Sequence, residues 1–182
     1  MRGSLFAGLL ILAASVSGAD GNQTLLSKSG GKFQLPWSGN WSEVTGADVP
    51  PIAVAFETKG DPLAMRVSLV AVPTQNDPRA VSEEGLRYFI GKAIEDLQPQ
   101  AVEHKLEAQP LAGPRKGFFV RATDKAPKPG EYKYVESVIV AVGEVPVFAT
   151  ILFNDAGAAD ATKARESLGR LDYTGPASPE SK

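Results

Sequence analysis

The sequence predicts an α+β fold organised around one antiparallel hairpin that is covered on both of its faces. Residues 132–153 are almost continuously apolar and rich in β-branched and aromatic side chains, which is typical of strands buried on both sides. Gly143 and Glu144 divide this stretch into two strands by a tight turn. Two other segments, about 78–97 and 158–171, carry apolar residues at helical spacing, and each can pack one apolar face on the hairpin.

The first 19 residues have the pattern of a cleavable secretory signal. Arg2 precedes an apolar run at residues 5–14, and small residues at 17–19 come just before Asp20. An N-terminal core helix is the alternative, but nothing polar interrupts the run to make it amphipathic. The run is also shorter than the roughly 20 apolar residues of a transmembrane helix. We therefore expect an exported protein, periplasmic or secreted, with no integral membrane segment.

Composition narrows the class of protein further. The formal net charge is −2, and loss of Arg2 with the signal makes it about −3, so no basic stripe predicts nucleic acid binding. The chain has no cysteine, which excludes disulfides, thiolate metal sites and a lipid-attachment cysteine. A bacterial periplasm fits an exported domain without disulfides better than a eukaryotic extracellular setting. We expect a monomer without a cofactor.

The remaining chain is long enough for one domain with its own core. We expect a flexible N-terminal lead at residues 20–31, a single domain at residues 32–173 and a disordered tail at residues 174–182, which is rich in Pro, Ser and Gly. Alternating apolar residues predict strands before and after the first helix, in addition to the hairpin. They lie at residues 32–37, 52–58, 63–72, 102–108 (a weak edge strand) and 117–123.

Both helices have recognisable beginnings and apolar stripes. Asp77 and Pro78 fit the N-cap and first position of the first helix, which we expect to stop before Pro99. The second helix follows the turn at residues 154–157. The stripe of the first helix contains Leu86, Phe89, Ile90, Ala93, Ile94 and Leu97, and that of the second contains Ala161, Ala164, Leu168 and Leu171.

Two tryptophans and a set of basic residues are the candidate binding residues. Trp37 and Trp41 lie four residues apart across a turn, where they would form a stacking platform for a sugar or peptide, or else cover an apolar edge of the core. The second role is the commoner one. Arg115 and Lys116 precede one predicted strand, whereas Lys125 and Lys128 follow it, so the two pairs need not form one patch for an acidic partner.

Catalytic and metal-binding signatures are weak. The one histidine, His104, lies between two charged residues, and the chain has no nucleophile motif. Asn154, Asp155 and Asp160 are better explained as helix caps than as cation ligands. Acids that a glycan hydrolase would need in convergent pairs are present, but 21 acidic residues always offer such pairs. The candidates are Glu57, Asp61, Glu83 and Glu136.

The order of these elements resembles that of the PsbP-like superfamily. The resemblance spans residues 32–173 and includes the segment Gly-Lys-Phe-Gln-Leu-Pro-Trp near the start, Gly-Phe-Phe-Val-Arg-Ala at 117–122 and a last helix ending in Leu-Gly-Arg-Leu at 168–171. The superfamily includes the photosystem protein PsbP, Mog-type Ran-binding import factors and periplasmic DcrB-like proteins. The resemblance implies an α/β/α sandwich with a mainly antiparallel sheet of about six or seven strands and helices on both faces.

The functions that this resemblance implies are non-enzymatic: docking to another protein, stabilising it or escorting it. We therefore expect an exported, non-enzymatic interaction module, an accessory, chaperone-like or inhibitor-type partner of another envelope protein. Two alternatives stay open. One is a carboxylate-dependent glycan hydrolase that uses the two tryptophans as a platform, and the other is a small-ligand binding protein with a pocket lined by Phe89, Phe118 or Phe148.

Overall fold

The computed structural model describes residues 23–37, 39–44, 49, 52–72 and 77–175. The predicted signal at residues 1–19 lies outside the described residues, as does the tail beyond residue 175. In chain order the elements are β1 (Gln23–Leu26), β2 (Lys32–Leu35), β3 (Trp41–Glu43), β4 (Ala53–Thr58), β5 (Met65–Ala71), α1 (Glu83–Leu97), β6 (Gln109–Pro110), β7 (Gly117–Thr123), β8 (Tyr134–Val142), β9 (Val145–Phe153), α2 (Ala158–Leu168) and β10 (Asp172–Thr174).

Seven of the strands form one antiparallel sheet in the spatial order β3-β4-β5-β9-β8-β7-β6. The hairpin of β8 and β9 lies at its centre, as predicted, and pairs in register from Tyr134 opposite Phe153 to Val142 opposite Val145. Gly143 makes the turn with a positive φ of 60°, a conformation that glycine adopts without steric cost. The predicted hairpin of β4 and β5 is also confirmed.

Helix α1 covers one face of the sheet, which we call the α1 face. Leu86 and Ile90 of the helix are buried there with Phe118, Val120 and Ile139 of β7 and β8. The alternation of side chains along each strand places these residues on one side of the sheet. The predicted apolar stripe of α1 therefore packs as expected.

The beginning of α1 differs from the prediction. Asp77 and Pro78 open a separate 3₁₀ turn at Pro78–Val81, where the Asp77 carboxylate accepts a hydrogen bond from the Arg79 amide. The α-helix begins five residues later, where the hydroxyl of Ser82 accepts a hydrogen bond from the Gly85 amide at 3.1 Å. The sequence carries two consecutive capping signals, and the second one starts the α-helix.

The opposite face, the α2 face, is covered by α2 and by a small antiparallel sheet of order β1-β2-β10. The apolar stripe of α2 is buried, as predicted. The small sheet contributes Leu25, Phe33 and Leu35 to the same core as Val67 and Ile151 of the large sheet. Both faces of the central hairpin are thus covered, and the predicted α/β/α sandwich of the α+β class is confirmed with seven strands in its main sheet.

The predicted flexible lead at residues 20–31 is wrong for β1, because residues 23–26 pair with β2 from Gln23 opposite Leu35 to Leu26 opposite Lys32. The alternating Leu25 side chain is 2% exposed and fixes the strand on the core. At the other end Thr174, assigned to the tail, is the last residue of β10.

The weak edge strand predicted at residues 102–108 is also wrong. Among the described residues, pairing around this segment is limited to an isolated antiparallel bridge between Ala101 and Asp124, a backbone hydrogen bond from the Val102 amide to the Thr123 carbonyl at 2.8 Å, and the two residues of β6 on the outer edge of β7. Glu103 instead caps that edge, because its carboxylate accepts hydrogen bonds from the amide and the hydroxyl of Thr123 at 3.0 and 2.7 Å. Burial raises the pKa of Glu103, but these hydrogen bonds outweigh burial and leave the pKa below its ordinary value.

Within the described residues, no helix has the length and apolar character needed to span a membrane.

Candidate interaction groove

A groove of about 300 Å³ opens at the edge of the large sheet, between the first half of α1 and strands β6 and β7. It combines an apolar floor with a charged rim. Its floor contains Leu86, Leu111 and Phe118, and its rim contains Glu83, Arg87, Arg115 and Lys116, with Pro110 and Gly117 between them. We call it the edge groove.

The floor of the edge groove exists because β6 is only two residues long. After Pro110 the chain leaves the sheet, and the edge of β7 is covered by loop residues rather than by a full strand. Leu86 and Phe118 belong to the core of the α1 face, whereas Leu111 belongs to the core of the α2 face. The groove therefore lies where the two cores meet, and its floor is apolar for that reason.

Arg87 forms one wall of the groove. Its guanidinium lies 4.4 Å from the centre of the Phe118 ring, and its Nε donates a hydrogen bond to Glu83 at 3.0 Å. Glu83 and Arg87 are one helical turn apart, so the bond holds the guanidinium against the helix. The cation is thus kept over the aromatic floor, where it can also meet an incoming anion.

Arg115 forms the opposite wall and ties the groove to the end of α2. Its Nε donates to the Leu171 carbonyl at 3.1 Å, and its guanidinium pairs with Asp172. Its amide donates to the Gly169 carbonyl. A Cβ at Gly169 would lie only 1.8 Å from the Ala112 carbonyl oxygen, so the loop that carries Arg115 requires glycine at this contact.

Lys116 differs from the two arginines in having no acid beside it. Its side chain is exposed, and its ammonium has no acceptor among the residues that the structure describes. The lining of the edge groove thus holds three cations and one acid, although the chain as a whole has a formal net charge of −2. A carboxylate attached to an apolar group is the ligand chemistry that this lining fits.

The four predicted basic residues do not meet. Arg115 and Lys116 lie together at the start of β7, whereas Lys125 and Lys128 follow its end, about 20 Å away for a seven-residue strand. Lys125 donates to the Pro99 carbonyl at 3.1 Å, and the amide of Lys128 donates to the Glu131 carboxylate. The first pair is part of the edge groove and the second pair lies at the other end of the strand.

Trp37 and Trp41 are brought together, but on the core. Their rings are stacked with centres 6.3 Å apart, and each ring also contacts Phe56, at 5.0 and 5.2 Å. Trp37 is only 6% exposed, and neither indole N–H has an acceptor in the described part of the chain. This geometry favours the role of covering an apolar edge, since little of the Trp37 ring is available to a ligand.

The other candidates are dispersed. Glu57 lies on β4, Glu83 lies on the edge groove and Glu136 is buried under α2, while the groove lined by Trp37 contains a single carboxylate, Glu166. His104 is exposed. No cluster of three or more metal-ligating side chains is found within residues 23–37, 39–44, 49, 52–72 and 77–175.

The three aromatic residues expected to line a ligand pocket do not line the same groove. Phe118 forms part of the edge groove, and Phe89 lines a second open groove near the start of α1. Phe89 packs edge to face on Phe148, with ring centres 5.4 Å apart.

Sequence reasoning named Glu136 only as one of four candidate acids and missed that it is buried in the core. Glu136 of β8 is completely buried on the α2 face and receives a hydrogen bond from Arg165 of α2 at 2.6 Å. The alternation of Tyr134, Glu136 and Val138 along a central strand could have indicated that Glu136 points into the core.

A scan against protein-family models finds no match, and a search of curated proteins finds none either. The solved structures to which the chain is similar include two of low sequence identity. The solution structure of cyanobacterial PsbP (CyanoP) from Synechocystis sp. PCC 6803 is 10% identical, with 91% of this chain and 98% of that chain covered and a TM-score of 0.47.

The second is a crystal structure of a protein from Bacteroides thetaiotaomicron VPI-5482, which is also 10% identical, with 82% of this chain covered and a TM-score of 0.49. The match spans 46% of that longer protein. Both TM-scores are below 0.5 and both identities are 10%, so these similarities carry no conclusion about family, partners or activity.

Proposed function

We propose that this protein is an exported, non-enzymatic interaction module that holds a segment of a partner protein in the edge groove. The observation that carries the proposal is the combination of a buried apolar floor with three cations around it. The partner segment would place an aliphatic side chain on Leu86, Leu111 and Phe118. It would direct a neighbouring carboxylate, from an acidic residue or a chain terminus, to Lys116 and the two arginines.

The size and charge of the edge groove support a side chain as its occupant. A volume of about 300 Å³ lies at the lower limit of small-molecule sites, so one or two side chains fill it. Arg87 and Arg115 already bond to acids of this chain and are held in place, whereas the Lys116 ammonium is available. Attraction to a partner acid therefore depends most on Lys116.

Export is part of the proposal and is supported by the sequence pattern of residues 1–19. The absence of cysteine suits an envelope compartment in which the domain folds without disulfides. A direct check is to express the whole chain in a bacterial host and to determine the N-terminus of the protein recovered from the periplasm. Recovery of uncleaved chain from the cytoplasm would contradict export.

The non-enzymatic character of the module is supported by the positions of two candidate catalytic acids, Glu83 and Glu136, each of which is paired with an arginine. Glu136 bonds to Arg165 inside the core, and Glu83 bonds to Arg87, so both carboxylates act as partners of arginines. A glycan hydrolase, the alternative, would need two carboxyl groups about 5 to 10 Å apart at a cleft.

Site-specific photo-cross-linking tests the groove. A photoreactive phenylalanine analogue replaces Ala112, which is exposed beside the edge groove, and a matched control carries it at exposed Ala126 in the loop at the far end of β7. After irradiation in intact cells, we expect one specific cross-linked protein from position 112 and none of it from position 126.

The charge variant completes the test. Lys116→Glu should reduce the cross-link from position 112 at least about tenfold, because it places an acid where the partner acid binds, whereas Lys128→Glu should leave it unchanged. Equal cross-linking from both positions, or insensitivity to Lys116→Glu, would overturn the assignment of the groove. If no cross-links form and the protein binds a small amphiphilic acid instead, the occupant of the edge groove is a small ligand and not a partner protein.

A further inference from the structure

A second group of cations lies on the α2 face of β7 and β8, beside α2. Each cation is stacked on an aromatic ring. The group contains Arg121, Lys133 and Arg165, with the rings of Phe119, Tyr134 and Phe153. We call it the arginine face.

Arg121 is the exposed centre of this face. Its guanidinium carbon lies 4.8 Å from the Tyr134 ring centre and 4.9 Å from that of Phe153, and its side chain is 42% exposed. The nearest acid, Glu136, is 3.9 Å away, and the guanidinium makes no hydrogen bond within the part of the chain that the structure describes. Stacking therefore holds a planar fork of N–H donors in place while leaving those donors unused.

Glu136 keeps the neighbouring Arg165 in position. Its Oε1 accepts a hydrogen bond from Arg165 Nη1 at 2.6 Å, and Arg165 stacks on Phe119 at 4.6 Å. The Glu136 side chain is 1% exposed, and its Oε2 is buried without a described hydrogen-bond partner. Glu136 therefore bonds to the guanidinium of Arg165 and lies 3.9 Å from that of Arg121, so this buried acid is close to both arginines without being exposed itself.

Lys133 extends the face toward the beginning of α2. Its ammonium lies 4.9 Å from the Tyr134 ring centre and 3.3 Å from the Asp155 carboxylate, which also accepts a hydrogen bond from the Tyr134 hydroxyl. The Tyr134 hydroxyl and Lys133 hold the pKa of Asp155 below its ordinary value, so this acid stays ionised. The ring of Tyr134 is thereby fixed between two cations.

We propose that the arginine face is a docking surface for an acidic peptide segment of a partner protein. One carboxylate of the segment binds the two outer N–H groups of Arg121 in bidentate geometry, and a neighbouring carboxylate approaches Lys133. Charge complementarity carries the proposal, because Arg121 is a fixed cation whose ion-pair partner, Glu136, lies 3.9 Å away and is already hydrogen-bonded to Arg165. A planar monoanion matches its fork.

The acids of the face distinguish a carboxylate from a phosphate. Asp155 borders the surface and Glu136 lies beneath Arg121, so a dianionic phosphate meets more repulsion than a single carboxylate. The net charge of −2 also opposes docking on an anionic lipid surface. These charges favour a peptide acid.

This surface is separate from the edge groove. Arg121 and Phe119 alternate along β7 with Phe118 and Val120, so the arginine face lies on the α2 face while Phe118 lies on the α1 face. The inference does not rest on the function proposed for the groove, and Lys116→Glu should leave it intact.

Titration by NMR tests the proposal directly. A capped peptide of six glutamates is added to the purified, ¹⁵N-labelled protein while the arginine Nε–Hε signals and the backbone amides are followed. We expect the signal of Arg121 and the amides of 133–136 to shift with saturation. Arg121→Gln should weaken the affinity at least about tenfold, as expected for loss of a bidentate charged pair. Arg121→Lys should recover only part of it, because the charge remains without the fork.

The matched control is Arg170→Gln, which removes the same charge from the exposed residue just after α2. It should change the affinity less than about twofold, since a single distant charge is screened by salt. Thermal unfolding of each variant shows whether the fold is kept. Equal weakening in Arg121→Gln and Arg170→Gln would overturn the proposal, as would shifts spread evenly over all arginines. Tighter binding of inorganic phosphate or of phosphatidylglycerol vesicles would overturn the peptide assignment.

Discussion

Arg165 on α2 donates a hydrogen bond from Nη1 to Oε1 of Glu136 on β8 at 2.6 Å, joining two residues that are 29 positions apart in the chain. Glu136 is completely buried, whereas the Arg165 side chain keeps 20% of its surface exposed. The pair thus connects the last helix to the central hairpin by a charged contact. The closest positive charge to the buried carboxylate of Glu136 therefore comes from α2.

The first prediction concerns this buried pair. Arg165→Met should lower the free energy of unfolding by about 3 kcal/mol, because it removes the hydrogen-bonded partner of a buried carboxylate and leaves only the more distant Arg121 beside it. Glu136→Gln should cost less, since the amide oxygen still accepts the hydrogen bond and the charge that loses its partner, on Arg165, still reaches the surface. Urea unfolding followed by circular dichroism measures both.

Lys163→Met provides the matched control on the same helix. Lys163 pairs with Asp160 at 3.3 Å on an exposed surface, where such pairs contribute at most about 1 kcal/mol. If Arg165→Met and Lys163→Met destabilise the protein equally, the buried pair has no special role in holding α2.

The sequence predicted the elements whose residues are close together in the chain and missed those formed by residues that are far apart. The hairpin around Gly143 and the apolar stripes of both helices were predicted because the periodic spacing of their apolar residues is visible within one short segment of sequence. The sheet of β1, β2 and β10 was not, since it joins Phe33 to Tyr173 across most of the chain. Short strands such as β6 are fixed by their partners and leave little pattern of their own.

The candidate site was predicted in part for a similar reason. Arg115 and Lys116 were identified as neighbours in sequence, but Arg87 was not among the predicted binding residues. Only the packing of α1 on β7 brings Arg87 over Phe118. Glu136 was treated as one of many acids, because the arginines that compensate it come from β7 and α2.

The second prediction separates the two roles considered for the tryptophans. Trp37→Ala should lower the free energy of unfolding by about 3 to 5 kcal/mol, because the 6% exposed ring fills space beside Trp41 and Phe56. Soluble oligosaccharides should leave the tryptophan fluorescence of the native protein unchanged. A saturable spectral change with a glycan, and a Trp37→Ala variant of unaltered stability, would instead support a binding platform.

The third prediction uses two glycines with opposite surroundings. A Cβ at Gly91 in the middle of α1 meets nothing within 4 Å, so Gly91→Ala should raise the free energy of unfolding by about 0.5 to 1 kcal/mol. A Cβ at Gly157 would lie 1.9 Å from the Ala64 carbonyl oxygen, so Gly157→Ala should be strongly destabilising. Thermal denaturation of the two variants should shift in opposite directions, and a shift of the same sign in both would contradict the packing at Gly157.

The fourth prediction concerns acid stability. Hydrogen bonds from the Arg79 side chain and amide lower the pKa of Asp77 from 3.8 to about 2. Because this pKa is lower in the folded state, the stabilisation is complete above the unfolded value of 3.8 and is lost as the pH falls through about 2. Between about pH 5 and pH 2, unfolding of the wild type should therefore depend on pH more steeply than that of Asp77→Asn.

Two measurements check this dependence at the residue itself. The carboxyl carbon of Asp77, followed by NMR, should titrate near 2, and Arg79→Gln should move its midpoint toward 3.8 because the guanidinium donates the side-chain hydrogen bond that lowers the Asp77 pKa most. Ser82→Ala is the control for the neighbouring cap: it removes the hydrogen bond to the Gly85 amide and should cost about 1 kcal/mol at every pH, since no titrating group is lost. An Asp77 midpoint near 3.8 in the wild type would show that the Asp77–Arg79 contact does not persist in solution, and the acid dependence would then have to arise from other carboxylates such as Asp155, whose pKa is also lowered.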